Sequence, residues 1–422
     1  MKDIYHFYLQ RLSEAGVNCA ILRSPRDWES VSDLDVISDE TEVLSHALIK
    51  LGFMEIAKED DHAWYVKYDG ETKSWIHFDI NRRLRFDKFI FPPSFIASIL
   101  AEDSPDGCYQ LNAAHEAILL IFHAAIHKGK FGPEYLQRIT AVDRREIEKY
   151  VEQYSFLPEV VTHYYDLAQA AFTGEVSPLK AVRAIRKALG AQPFWFQRIQ
   201  ERLVWIAGLP RAIFRPRTVA VLGCDGAGKT TITDALGAMP HPRIFRQYMG
   251  VDNSSEQSYF IRIVFRPLKW LMLRTRKTSL LGLIVRLALA LLRYADFWIR
   301  ILRNFYPLIG KTNILLLDRY PCDVYFRKPE RWSEFVFIWC FPRPWFAILL
   351  AGDSNAIHHR KPELTTKEIE ITLSEYRDKL AKHKFKYCEI DTTSNDSAKS
   401  IQQVAAEIIK CLADVKRDRI LP

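Results

Sequence analysis

A chain of 422 residues, 48% hydrophobic and 26% charged, exceeds what one core supports and excludes global disorder, so two domains with a connector are expected. Its formal net charge of +8 favours acidic partners: nucleotides, phosphorylated sugars, nucleic acid or an anionic membrane surface. An odd set of seven cysteines without a C-x-x-C pair, after a start that lacks the apolar run of a signal peptide, suits a reducing, cytoplasmic setting rather than a disulfide framework.

In chain order, NCAIL (18–22) and DLDVIS (33–38) read as strands around a polar turn. Val43, Leu44, Ala47, Leu48 and Leu51 then fall on one helical stripe that Gly52 stops. HAWYVKY and SWIHFDI read as two strands joined by the turn at Asp69-Gly70-Glu71. This gives an α+β domain over 1–105 and a helical extension over 106–190, rich in Ala, Leu and Glu. A connector with prolines, aromatics and arginines follows over 191–216. From 217 to 422 the pattern changes: the apolar runs TVAVLG, NILLLD and FAILLAG, and a last strand at Tyr387–Asp391, alternate with helical segments. That alternation indicates a parallel sheet wrapped by helices. A basic, apolar helical stretch covers roughly 257–306.

The strongest motif is Gly223-Cys-Asp225-Gly226-Ala227-Gly228-Lys229-Thr230, followed by Thr231. It matches G-x-x-x-x-G-K-[ST] at every fixed position and sits between a strand and a helix, as phosphate cradling requires. The glycines let backbone N–H groups turn toward phosphate oxygens, and the helix N-terminus adds partial positive charge. Lys229 would bridge the terminal phosphates of ATP and the Thr230 hydroxyl would hold Mg²⁺. Neither an NKxD motif nor an LSGGQ signature is present.

Asp318-Arg319-Tyr320 closes the NILLL run. With GCDGAGKTT and DRY in this order, and Pro307-x-x-Gly310 just before the second strand, the segment resembles the thymidylate kinase family. The resemblance implies an α/β P-loop three-layer kinase domain, with Asp318 orienting Mg²⁺ and water and Arg319 gripping the acceptor's phosphate. It puts Asp225 on the acceptor side and a lid arginine after the third strand, where Arg360 is the first candidate and Lys361 and Arg377 stand behind it. The loop after the last strand would lie near adenine. DRYP at 318–321 and RKPE at 360–363 are similar to a divergent thymidylate-kinase-like branch associated with bacterial surface polysaccharide synthesis. Phe297, in Ala295-Asp296-Phe297, replaces the arginine with which dedicated thymidylate kinases help read the pyrimidine.

In the N-terminal part, Asp33-Leu-Asp35 and Asp79 resemble the metal-holding carboxylates of the nucleotidyltransferase fold, as do the L-x-x-L-G-F at 48–53 and I-H-F-D-I at 76–80. Alternation puts Asp33 and Asp35 on one face of an extended strand. The turn Arg23-Ser-Pro-Arg26 stands where that family has glycines, so a competent metal site, a degenerate binding domain and a chance D-x-D all stay open. His123 and His127 share a helical face with no metalloprotease pattern around Glu116, and together with His115 they read as packed or solvated histidines.

The resulting expectation is an enzyme: ATP- and Mg²⁺-dependent phosphoryl transfer to a nucleoside-monophosphate-like or glycan acceptor. The alternatives are a bifunctional enzyme with nucleotidyl transfer in the N-terminal lobe, and an ATP-gated binding protein without catalysis. The basic stretch either touches an anionic membrane surface or is a solvated helical face over a packed apolar one. Nucleic acid is not an expected partner, and a homodimer stays open.

Overall fold

The computed structural model describes residues 2–22, 33–58, 61–86, 89–101, 109–154, 160–190, 203, 217–240, 242–249, 259–276, 279–303, 313–320, 344–394 and 396–417. The connector at 191–216 except 203, the Arg23–Arg26 turn, Pro307-x-x-Gly310 and Pro321 lie outside the described residues. The chain forms two compact units: Met1–Lys67 with Ile76–Arg202, and Tyr68–Trp75 with Leu203–Pro422.

The first unit carries a six-stranded mixed sheet. Its strands are β1 (Ala20–Ile21), β2 (Leu34–Ile37), β3 (Met54–Lys58), β4 (His62–Asp69), β5 (Ser74–Asn81) and β8 (Tyr109–Gln110), in the order β3-β4-β5-β2-β1-β8. A short hairpin, β6 (Arg85–Phe86) with β7 (Phe89–Ile90), stands apart from it. Helix α1 (Lys2–Glu14) buries Tyr5, Tyr8, Leu9 and Leu12, the i, i+3, i+4, i+7 stripe of an amphipathic helix. Those rings meet Phe53 and Phe78 edge to face. Helix α2 (Thr41–Lys50) covers the same face and stops at Gly52, whose φ of 87° is the left-handed value of a helix C-terminus. Leu34 and Val36 of β2 point into this core, so alternation turns Asp35 and Ile37 to the opposite face.

That opposite face meets a helical layer: α3 (Pro93–Leu100), α4 (Ala113–Phe122), α5 (Pro133–Thr140), α6 (Arg144–Gln153), α7 (Val160–Thr173) and α8 (Pro178–Ala188). One apolar core joins Ala20 and Ile37 of the sheet to Phe95, Ile118, Phe122 and Ile185. After α4 the helix widens into a π turn at His123–Lys128, which Gly129 ends at φ 70°.

The second unit is an all-parallel five-stranded sheet of β9 (Thr218–Gly223), β10 (Ile244–Tyr248), β11 (Ile314–Asp318), β12 (Phe346–Ala351) and β13 (Tyr387–Asp391), in the order β10-β11-β9-β12-β13. Every residue of β9, β11 and β12 is buried, as both-face coverage of a parallel sheet demands. The flanking helices are α9 (Lys229–Gly237), α10 (Tyr259–Arg274), α11 (Leu280–Arg303), α12 (Ser354–Arg360), α13 (Thr366–Lys382) and α14 (Ser397–Arg417). Thr365 and Glu368 form a capping box at the start of α13. Strand β9 is central: the chain places β10 and β11 on one side of it and then β12 and β13 on the other, so the order reverses beside it. The carboxyl ends of β9, β11, β12 and β13 therefore open onto one crevice at that switch point.

Candidate functional site

Strand β9 delivers Gly223 to the crevice, and the chain turns through Asp225 and Gly226 into α9. Gly226 has φ 90°, and a Cβ there would lie 2.8 Å from the Ile357 carbonyl oxygen. Gly228 caps α9 at φ 85°. A Cβ on Gly223 would lie 2.6 Å from the Leu350 oxygen of the neighbouring strand. Ala227 is buried and its N–H closes the turn on the Cys224 oxygen at 3.1 Å. Lys229 is buried and folds back over the loop: its Nζ donates to the Gly223 and Cys224 oxygens at 2.8 and 2.6 Å. Asp225 Oδ1 lies 3.5 Å from the same Nζ. Thr230 and Thr231 are exposed in the first turn of α9.

Asp318, at the end of β11, is 2% exposed and accepts from Arg246 Nη2 at 2.9 Å. Arg246 also pairs with Asp234 of α9. The next residue, Arg319, holds φ at 73°, a left-handed conformation that a side-chain-bearing residue adopts at a cost of about 1–3 kcal/mol. Its N–H is fixed to the Val221 oxygen at 3.1 Å and its guanidinium pairs with Asp225. Asp225 thus lies between Lys229 and Arg319.

Arg360 is the last residue of α12 and donates to the Thr392 oxygen at 2.9 Å. That oxygen belongs to the turn after β13. Asp391 closes the turn by accepting from the Thr393 and Ser394 N–H groups at 2.7 and 3.1 Å, and the Thr393 bond foremost holds its carboxyl down at about 2. Arg377 pairs instead with Glu389, with Nε at 2.9 Å, and does not line the crevice. The result is a cavity of about 640 Å³. Asp225, Gly226, Gly228, Lys229, Thr230 and Thr231 form one wall, with Asp318, Arg319, Arg360 and Lys361 around it. Ile232, Tyr248, Thr392, Ser397 and Ser400 complete the lining. That volume falls within the range of small-molecule sites, roughly 300–1,000 Å³.

Phe297 is buried against Leu315, Leu317 and Tyr320 in the sheet core, so it contributes packing where an arginine would need a charged partner. One turn on, Arg300 is buried, pairs with Asp296 and donates to the Tyr248 oxygen at 3.1 Å.

The solved structure of thymidylate kinase from Ehrlichia chaffeensis aligns with 46% of this chain and 97% of its own, at 12% identity and a TM-score of 0.29. No family model matches the chain, and no curated protein does. The parallel sheet flanked by helices, with the glycine loop at the end of its central strand, fits an α/β P-loop fold.

In the first unit, parallel pairing sets Asp35 directly opposite Asp79. A smaller cavity of about 190 Å³ opens there, lined also by His62, Asn81, Arg85, His123 and His127. His62 Nδ1 lies 3.3 Å from Asp79 Oδ1, and that bond raises the imidazole's pKa above its ordinary value. Asp33 is exposed just ahead of β2 and is not part of this lining. Among the described residues, no group of three or more His, Cys, Asp or Glu is placed to hold a metal ion. The expectation of packed or solvated histidines holds for His115, which is buried between the Phe95 and Tyr150 rings with its pKa pushed down to about 4 by desolvation. His123 and His127 are also packed, their rings stacked with centroids 5.4 Å apart, His127 exposed to solvent, and both line the cavity wall.

The motifs missed Arg246, which reaches Asp318 from a neighbouring strand, and the Tyr248, Thr392, Ser397 and Ser400 lining. The D-T-T-S run at 391–394 after a strand is the one local signal that a turn of this kind was present.

Proposed function

We propose that the second unit transfers the terminal phosphoryl group of ATP to a small-molecule acceptor, a nucleoside-monophosphate-like compound or a sugar or glycan intermediate. The observation that carries this reading is the convergence of Lys229, Asp318, Arg319 and Arg360 on one cavity at the glycine loop. The side chains suit ATP and Mg²⁺: four cationic groups and a helix N-terminus for the phosphates, and hard oxygen donors from Thr230 and Asp318 for the metal. Magnesium bound with phosphates takes only one or two protein ligands, so two donors suffice. When bound, Mg²⁺ supplies charge neutralisation on the bridging and terminal phosphate oxygens.

The residues' own work is positioning and charge stabilisation. Lys229 exchanges the two loop carbonyls for phosphate oxygens. Arg246 yields the Asp318 carboxylate that it occupies. Arg319, turned by its left-handed backbone, leaves Asp225 for the acceptor's anionic group, and Arg360 covers the phosphoryl in flight. An acceptor oxygen bonds to the terminal phosphorus as the bond to the bridging oxygen breaks. ADP leaves, and a hydroxyl acceptor's proton passes to solvent or a neighbouring carboxylate.

The test is ATP consumption with Mg²⁺ over nucleoside monophosphates and sugar or lipid-linked glycan acceptors, with Lys229→Ala as control. Acceptor-dependent turnover that falls about 100-fold or more in the variant supports the reading; turnover equal in both proteins, or none with any acceptor, overturns it. A second reading, nucleotidyl transfer in the first unit, is favoured by the Asp35–Asp79 pairing. It requires pyrophosphate release that Asp79→Asn abolishes and Lys229→Ala spares.

A further inference from the structure

Helices α10 and α11 form a hairpin whose inner seam is apolar: Phe265, Val285 and Leu289 are buried together, with Leu268, Leu271 and Met272 packed around them. Contacts between Arg276, Ser279 and Gly282 tie the ends of the pair together. Ser279 Oγ donates to the Arg276 oxygen at 2.9 Å and accepts from the Gly282 N–H at 3.1 Å, and a side chain at 282 would collide with the Arg276 oxygen.

The outer side of the hairpin is also apolar. On α11, Leu280, Ile284, Leu287 and Leu291 repeat at i, i+4, i+7, i+11 and are exposed, Leu280 by 75% and Leu291 by 60%. On α10, Ile263, Trp270 and Leu273 are exposed in the same way. A helix whose one face is already seated in a seam has no intrinsic reason to expose a second leucine stripe to water, since each such side chain gains about 1.5–3 kcal/mol on burial. Exposed apolar patches of this extent mark interaction surfaces.

The charge around the stripe identifies what covers it. Residues 259–303 contain ten Lys or Arg and one acidic residue, Asp296, a net of +9 where the entire chain has +8. Arg266, Lys269, Arg274 and Arg276 are exposed beside the stripe, and the Arg274 guanidinium stacks 3.9 Å over the exposed Trp270 ring. Exposed leucines and a tryptophan bordered by unopposed cations match the boundary between acyl chains and anionic headgroups: the apolar side chains enter the boundary and the long cations reach back to phosphate. No helix among the described residues is long and apolar enough to cross a membrane, in keeping with a hairpin that lies on a surface.

We propose that the α10–α11 hairpin docks on the surface of an anionic lipid bilayer, apolar stripe inward and arginines at the headgroups. Helix α11, about 36 Å long at 1.5 Å per residue, runs from that stripe to Phe297 in the sheet core and to Arg300, which holds the carbonyl of the cavity residue Tyr248. Helix α11 therefore connects the bilayer contact to the cavity residue Tyr248 through Arg300.

The test is flotation of the full chain with vesicles of phosphatidylcholine alone or with about 30% phosphatidylglycerol, alongside its sedimentation without lipid. Binding to the anionic vesicles and not the neutral ones is expected, and about 1 M salt, with a Debye length of about 3 Å, weakens it. Lys269→Gln with Arg276→Gln lowers partitioning about 25-fold, at about fivefold per cation. Leu280→Gln with Leu287→Gln and Leu291→Gln lowers it about 100-fold, since these exposed leucines would each lose about half of their burial gain. Both variants keep the wild-type melting temperature because the altered side chains are exposed. Absence of flotation overturns the proposal. So does a lipid-free dimer that the leucine variant breaks and that binds no vesicles, because the stripe would then face a second copy of the chain.

Discussion

Gly226→Ala is the sharpest perturbation of the phosphate loop, because the structure separates its cost from that of two other glycines. At Gly226, φ is 90° and a new Cβ would lie 2.8 Å from the Ile357 oxygen and 3.1 Å from the Lys361 Cβ. At Gly228, φ is 85° and the Cβ meets nothing within 4 Å. Gly237 has ordinary backbone geometry and open space. A left-handed conformation costs an alanine about 1–2 kcal/mol. Without ligand the loop relaxes to escape that strain, but phosphate cradling requires the wild-type turn, so the cost falls on binding. Gly228→Ala then weakens Mg²⁺–ATP binding about 5–30-fold. Gly226→Ala adds backbone overlap and reaches about 3 kcal/mol, or more than about 100-fold. Gly237→Ala binds as wild type and melts slightly higher, since alanine is better than glycine in a helix by about 0.5–1 kcal/mol. Calorimetric titration with Mg²⁺–ATP, with thermal melts as a check on folding, reads all three. Binding by Gly226→Ala within twofold of wild type, or an equal loss in Gly237→Ala, would refute the reasoning.

Arg246→Gln leaves the buried Asp318 without its guanidinium and destabilises the ligand-free protein by about 3 kcal/mol. Mg²⁺ then raises the melting temperature of the variant more than that of wild type, and an unchanged melt would show that the ion pair carries no stability. His115, with its folded pKa pushed down to about 4, binds fewer protons folded than unfolded. Stability therefore falls as pH drops below the unfolded value near 6.5, by about 1.4 kcal/mol per pH unit and about 3 kcal/mol in all. His115→Gln flattens that limb in denaturant titrations, and an identical acid limb would exclude His115 as its source. His62 is raised by Asp79, so its contribution is present below about 6.5 and is lost as pH rises through the folded pKa. In Asp79→Asn its NMR titration moves to lower pH; no movement would mean that the 3.3 Å contact is not a working hydrogen bond.

The phosphate loop was legible because G-x-x-x-x-G-K-T stands between an apolar run and a helix. Strands β9, β11 and β12 were legible because burial on both faces leaves unbroken apolar runs. Strand β10, I-F-R-Q-Y, was not: as an edge strand it mixes polar and apolar residues. With it went Arg246, whose meaning depends on Tyr248 pairing with Asp318 across two strands that are far apart in sequence. Arg360 was reachable from its position after β12, but its anchor on the Thr392 carbonyl depends on β12–β13 pairing. In the first unit, the carboxylates at 35 and 79 could be chosen from sequence, whereas their opposition comes from strand register, and the exposure of Asp33 had no local sign. His123 and His127 shared a predicted face, but that this face borders a cavity beside Asp35 and Asp79 depends on how the helix packs on the sheet.

The most direct test of the central claim is a calorimetric titration of Mg²⁺–ATP into the full chain, Lys229→Ala and Asp79→Asn. Tight binding by wild type and Asp79→Asn, with a loss of about 100-fold or more in Lys229→Ala, is predicted if the glycine loop holds the nucleotide. Binding that survives Lys229→Ala and disappears with Asp79→Asn would contradict it and move the nucleotide to the smaller cavity.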